Sequence, residues 1–178
     1  MAATTVIYRY TGAGPTGADV SAGIKFTRDD SNTGSTPVPI PPSGTAATNF
    51  SYYASIALYV TANTGSTISN KRIYYTGSMP SGFQLFSQTA ATSPAASNSY
   101  TQCTAAVTAT ATTVATPPTG YAAMTTSTAG TVFDASSAVI STNTIASYYC
   151  RVCLGVDNTA TTTGTVSLPT IYILYDEQ

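Results

Sequence analysis

Histidine and tryptophan are both absent from this 178-residue sequence, and charged residues make up only 7% of it. Without histidine there is no imidazole to act as general base, to pair with a nucleophilic serine or to ligate zinc. Six Lys/Arg residues are too few and too scattered for a phosphate footprint, which argues against nucleic acid as a partner. The acids are Asp19, Asp29, Asp30, Asp134, Asp157, Asp176 and Glu177. Most fall in expected turns or near the C-terminus, where a solvated turn role is expected instead of a paired-carboxylate hydrolase. Long apolar runs are missing as well. The opening Met1-Ala-Ala-Thr-Thr5 has no basic stretch leading into an apolar one, so neither a membrane span nor an export leader is expected. Cysteine is scarce and odd in number: Cys103, Cys150 and Cys153 are no disulfide framework.

What replaces the missing charge is threonine, with 35 copies, and tyrosine, with 13 against 5 phenylalanines. Both residue types fit a pleated, half-buried surface, and hydroxyls keep such a surface wettable without charge. A formal net charge of -1 leaves little repulsion between copies, which suits a packed assembly better than a freely diffusing monomer.

Short alternating runs separated by Gly, Pro, Asn and Ser predict an all-β chain of about eight to ten strands in one domain over 1–178. Strands are expected at Thr5–Tyr10, Gly23–Arg28, Tyr52–Thr61, Ser69–Thr76, Phe83–Phe86, Ile145–Val156 and Thr165–Tyr175. Tyr52–Thr61 alternates with apolar residues on both faces and is expected to be central and covered on both sides. Ile145–Val156 is read the same way. The fold class that follows is a β-sandwich of Ig-like or jelly-roll topology. Pro37, Pro39, Pro41 and Pro42 cannot all donate to a ladder, so their extended stretch belongs at an edge or on the surface. The Thr/Ala-rich segment at about 89–119 buries little area per side chain. It reads as a strand packed closely on another sheet, a flat outer strand or a loop.

Motifs that carry chemistry are weak here. Cys150-Arg-Val-Cys153 has CxxC spacing, but residues i and i+3 of a strand point to opposite faces. The thiols are therefore expected to diverge, with Cys150 buried and Cys153 half-buried, and to bind no metal. Asp29-Asp-Ser-Asn-Thr-Gly34 offers oxygen ligands in a turn without the spacing or distal Glu of a calcium loop. Gly12-Ala-Gly-Pro-Thr-Gly17 lacks the Lys-Ser/Thr ending of a phosphate loop. The reading is therefore no enzyme, no cofactor and no metal.

Several segments resemble small β-sandwich virion proteins of tailed bacteriophages and prophages: Ala22-Gly-Ile-Lys-Phe-Thr-Arg-Asp-Asp30, then Pro37-Val-Pro-Ile-Pro41, Asn49-Phe-Ser-Tyr-Tyr53 with Ile56-Ala-Leu-Tyr59, Ile68-Ser-Asn-Lys-Arg-Ile-Tyr-Tyr75, and the ending Ile173-Leu-Tyr-Asp-Glu177. The resemblance covers most of residues 20–86 and the tail, and the Thr/Ala-rich middle matches nothing in it. It implies a virion part made in the host cytoplasm: a capsid decoration subunit, a neck or tail component, or a receptor- or carbohydrate-binding tip. Partners would be other virion proteins (major capsid, neck or tail subunits) and further copies of the chain. Pro37, Pro39, Pro41 and Pro42 are the leading contact candidates, followed by Tyr8, Tyr10, Tyr172 and Tyr175 on the first and last strands. Arg28, Lys71 and Arg72 are the charges that would make such a contact sensitive to salt.

Overall fold

The computed structural model describes residues 2–43, 47–90, 96–107, 114–162 and 164–178, and among them it contains twelve strands and no helix. β1 (Thr4–Thr11) turns back into β2 (Thr16–Asp19), and the two pair antiparallel. The other flank of β1 pairs along β4 (Ala54–Ala62), from Tyr10 opposite Ser55 to Thr4 opposite Ala62. Next comes β11 (Cys150–Asp157), then β6 (Phe83–Ser87) and β7 (Ala122–Ala123). Two short strands complete this eight-stranded sheet: β3 (Thr48–Phe50) pairs with β11, and β10 (Thr144–Ile145) pairs with β4. The second sheet has four strands in the order β12 (Thr170–Glu177), β5 (Thr67–Thr76), β8 (Thr131–Asp134), with β9 (Ala138–Val139) also on β5. The molecule is an all-β sandwich of two antiparallel sheets.

Alternation explains the core. Ala54, Ile56, Leu58 and Val60 of β4 share the inner face with Cys150, Val152, Leu154 and Val156 of β11. They meet Ile68, Ile73, Tyr75, Phe133 and Ile171 of the small sheet. Removing each such aliphatic side chain from water contributes about 1.5–3 kcal/mol. The expectation that β4 and β11 are central holds, since each is paired on both flanks.

The outer face of the large sheet is covered too. Phe50, Phe86 and Cys153 form a second apolar layer there, under Tyr53, Val107 and Tyr121. Gly155 makes room for it, because a Cβ at that position would stand 2.9 Å from the Phe86 ring and 3.0 Å from the Phe50 ring. The described parts of the Thr/Ala-rich segment supply this cover without forming a ladder. Ser97 makes only an isolated bridge with Tyr149, and Val107 donates its N–H to the Ser51 carbonyl at 3.2 Å. Residues 91–95 and 108–113 of that segment lie outside the described residues.

Two expected strands are corrected. Gly23–Arg28 is extended but not a strand, because its backbone bonds go elsewhere. Arg9 donates to the Lys25 carbonyl and Tyr52 to the Thr27 carbonyl, so no partner strand forms a ladder with it. The last strand starts at Thr170, after Pro169, and Val166 and Leu168 precede it as irregular chain. Proline at 169 has no N–H to give a ladder. Ile145–Val156 is likewise divided, into β10 and β11.

Charged groups inside the sandwich were not anticipated. Lys71, named from the sequence as a charge that would make docking sensitive to salt, instead forms a 3.3 Å ion pair with Asp134, their side chains 1% and 0% exposed. Alternation with Ile73 and Tyr75 turns Lys71 inward, and a bulge in β8 brings Asp134 to face it. Asn70 takes a positive φ of 47° where β5 shifts register on β12, and β8 shifts on β5 between Lys71 and Arg72. Such bulges re-aim side chains across a sheet. Asp157 is also buried.

Candidate docking cleft

The large sheet is wider than the small one, and the irregular segment 21–40 lies against part of its inner side. Between that segment, residues 164–171 and the large sheet is a cleft of about 880 Å³. Phe83, Leu154 and Val156 line it from the sheet, and Ile171 from the start of β12. Ile24, Phe26, Val38, Ile40, Val166 and Leu168 line it too, all half-buried.

Local sequence explains these walls. In an extended chain successive side chains point to opposite sides. Ile24 and Phe26 therefore turn toward the core while Lys25 stays exposed, and Val38 and Ile40 turn in while Pro37 and Pro39 stay exposed. Polar anchors fix the segment. Arg9 Nη1 donates to the Lys25 carbonyl at 2.9 Å, and Asn49 Nδ2 to the Pro39 carbonyl at 2.7 Å. The Arg28 N–H donates to the Thr36 carbonyl at 2.9 Å. The Asp29 carboxylate accepts from Thr27 Oγ1 at 2.9 Å and from the Thr36 N–H at 3.2 Å. Burial alone would raise the Asp29 pKa, but the bonds from Thr27 and Thr36 outweigh it and hold the carboxyl below its ordinary value. Gly34 is required by this turn, since a Cβ there would overlap the Asp29 carboxylate.

Arg9 sits on the inner face of β1 and is 2% exposed. Burial pulls its guanidinium below the ordinary value, with Asp30 and Asp29 opposing. Its Nε has no hydrogen-bond partner among the described residues.

The contact candidates read from the sequence fall in different places. Pro37, Pro39 and Pro42 are exposed and Pro41 is buried. Tyr8 is half-buried and stacked on Tyr59, ring centroids 4.2 Å apart. Tyr10 is buried, edge-on to Tyr149 at 5.1 Å and next to Tyr100. Burial raises the Tyr10 phenol, and raises that of Tyr100 to about 12. Tyr175 is half-buried against the inner core, its hydroxyl donating to the Ala3 carbonyl at 3.3 Å. Tyr172 stands 41% exposed on the outer face of the small sheet, stacked on Tyr74. The structure thus places Pro37 at the cleft, sets Tyr8 and Tyr10 side by side with ring centroids 6.2 Å apart, and keeps Tyr175 and Tyr172 on the two faces of the small sheet.

Cys150 faces the inner core and Cys153 the outer apolar layer, the divergence that strand geometry predicts. Cys153 is fully buried instead of half-buried, because the segment carrying Val107 and Tyr121 covers it. Burial raises all three thiols, Cys103 to about 11. Among the described residues no group of three or more His, Cys, Asp or Glu side chains is placed to hold a metal ion, and no helix is long and apolar enough to cross a membrane.

The buried ion pair of the described residues, Lys71 and Asp134, is closed to solvent and fully engaged. Lys71 Nζ donates to the Ser136 carbonyl at 2.8 Å and to Ser136 Oγ at 2.9 Å. The carboxylate accepts the N–H groups of Ser136 and Tyr148, each at 2.8 Å. Its chemistry is that of an internal strut.

No family model matches the chain, and neither a curated protein nor a solved structure matches it.

Proposed function

We propose that this chain is a non-enzymatic structural subunit of a tailed-phage particle, a capsid decoration protein that docks in many copies on the particle surface. The observation that carries the reading is the cleft. Six half-buried apolar side chains line it, and the exposed prolines 37 and 39 stand beside it, with charge nearly absent. A largely apolar concavity with Lys25 as its one charged lining residue suits a shallow protein partner, such as a loop of the major capsid protein, and many weak copies gain strength together through multivalency. The order of motifs that resembles small virion sandwiches supports the phage context. A neck or tail component is the same reading at a different site on the particle. A receptor- or carbohydrate-binding tip fits less well, because the Tyr8 and Tyr59 ring faces are stacked on each other at 4.2 Å and not both free for a sugar.

The test replaces the two outward prolines together, Pro37→Glu and Pro39→Glu, leaving Val38 and Ile40 in place. Deleting the whole segment would also remove the core contacts of those two residues. Occupancy on purified particles should fall about tenfold or more in the charged variant. In the wild type it should change little between about 0.05 and 0.5 M salt, because few ion pairs are available to screen. Unchanged occupancy in the variant removes this segment from the interface. A labelled antibody found over the whole head, at one vertex or along the tail separates decoration from neck and tail roles.

A further inference from the structure

The two sheets differ on their outer faces. The large sheet's outer side carries the chain's own apolar layer, Phe50, Phe86 and Cys153 under Val107 and Tyr121. The small sheet's outer side carries the two exposed large hydrophobic side chains of the described residues, Tyr172 at 41% and Val139 at 62%. Register places them there. Tyr172 pairs with Tyr74 and follows the inward Ile171, while Val139 pairs with Thr67, beside the inward Ile68. Half-buried Leu174 and Val132 flank Arg72 on the same face.

From this we infer that the outer face of the small sheet is a self-association surface, and that its partner is a second copy of this chain. The charge pattern selects that partner. The face holds one base and one acid, Arg72 and Asp176, already in contact with each other and with side chains 28% and 43% exposed. Under a two-fold axis such a patch is self-complementary, Arg72 of one copy facing Asp176 of the other. A strongly acidic or basic partner would leave one of these two groups opposed by its own sign. The chain's net charge of -1 adds almost no repulsion between copies. Size sets the strength. Strands of eight and ten residues with the shorter β8 and β9 beside them offer roughly 400 Å² per copy, about 800 Å² in all, from standard strand rise and spacing. That is below the ~1,200–2,000 Å² of stable specific complexes, so the contact is weak in free solution and strengthens where copies are held close together. The inference does not depend on the phage reading.

Sedimentation equilibrium of the intact chain from about 10 µM to about 1 mM tests it, a range that reaches weak contacts. Wild type should move from monomer toward dimer across the series. Tyr172→Glu and Val139→Glu, both at exposed positions, should each weaken dimerisation about tenfold or more with an unchanged circular dichroism spectrum. The Pro37→Glu, Pro39→Glu chain should dimerise as wild type does. A monomer throughout the series overturns the inference. So does dimerisation that survives Tyr172→Glu, or that is lost only with the proline changes, because another surface is then responsible.

Discussion

Replacing Asp134 by Asn tests whether the interior strut is formed in solution. The amide has nearly the shape of the carboxylate and can still accept one of the two N–H groups, from Ser136 or Tyr148, that the carboxylate holds at 2.8 Å. What it loses is the charge opposite Lys71 Nζ, 3.3 Å away at a site with 1% and 0% side-chain exposure. Removing one partner of a buried pair costs about 3–5 kcal/mol, because the other charge remains without compensation. The two Ser136 oxygens 2.8 and 2.9 Å from Nζ recover part of this, so the lower half of that range is expected. Lys71→Met leaves the carboxylate with both backbone donors and should cost less. The informative step is the double variant. In the Asp134→Asn background, Lys71→Met removes an uncompensated ammonium and should restore stability by about 1 kcal/mol or more, although alone it destabilises. Urea unfolding followed by far-UV circular dichroism and tyrosine fluorescence, with m held equal across variants, measures all four corners of the cycle. A cost below about 1 kcal/mol for Asp134→Asn refutes the reasoning, as does a Lys71→Met cost that is the same in both backgrounds.

The thiols of Cys103, Cys150 and Cys153, all buried and shifted up by burial, should stay unreacted toward a thiol reagent at pH 8 in the folded chain, and all three should react in about 8 M urea; one fast-reacting thiol in the native state contradicts the burial. Tyr10, Tyr53, Tyr100, Tyr121 and Tyr149 are all raised, by burial first, so the folded state holds their protons more tightly than the unfolded chain, whose tyrosines titrate near pH 10. Their contribution to stability is therefore complete below about pH 10 and falls as pH rises through the folded values, giving alkaline unfolding together with late tyrosinate absorbance; full ionisation by about pH 10.5 with the fold intact refutes the burial of these rings.

Which parts of this architecture the sequence reveals depends on what alternation measures. It reports that an extended chain has one side in an apolar environment, and it is silent on whether a neighbour forms a ladder. Where burial and pairing coincide, as at Ala54–Ala62 and Cys150–Asp157, the reading is correct to within one to five residues at the ends. Where they separate, it overshoots. Ile24 and Phe26 do face the core, as do Val166 and Leu168, but both pairs lie in irregular chain. The cleft exists because of that separation. Apolar side chains arrive without a sheet to close over them, and a pattern that looks like two more strands becomes the wall of a concavity.

The interior charges were legible in part. Lys71 has the parity of Ile73 and Tyr75, and Arg9 that of Ile7, so simple alternation already turns both cations inward. Asn70 was a second signal, since asparagine is among the few residues that accept a positive φ in the middle of a strand. What no local pattern supplies is the partner. Asp134 lies 63 residues further along the chain and faces Lys71 only because β8 shifts register at that point. A lysine on an inward parity position is too costly to bury alone, so its presence there required a buried acid somewhere in the chain. The same reasoning applied to Arg9 predicts no full ion pair, because Asp29 and Asp30 both lie in the 29–34 turn and are already engaged, by Thr27 and Thr36 and by the Gly12 N–H. Arg9 is accordingly held by a backbone carbonyl, with its Nε left unpaired. Among the described residues the interior thus contains the Lys71–Asp134 ion pair and a cation held by a backbone carbonyl, and that cation, Arg9, fixes the Lys25 carbonyl in the segment that forms the cleft wall.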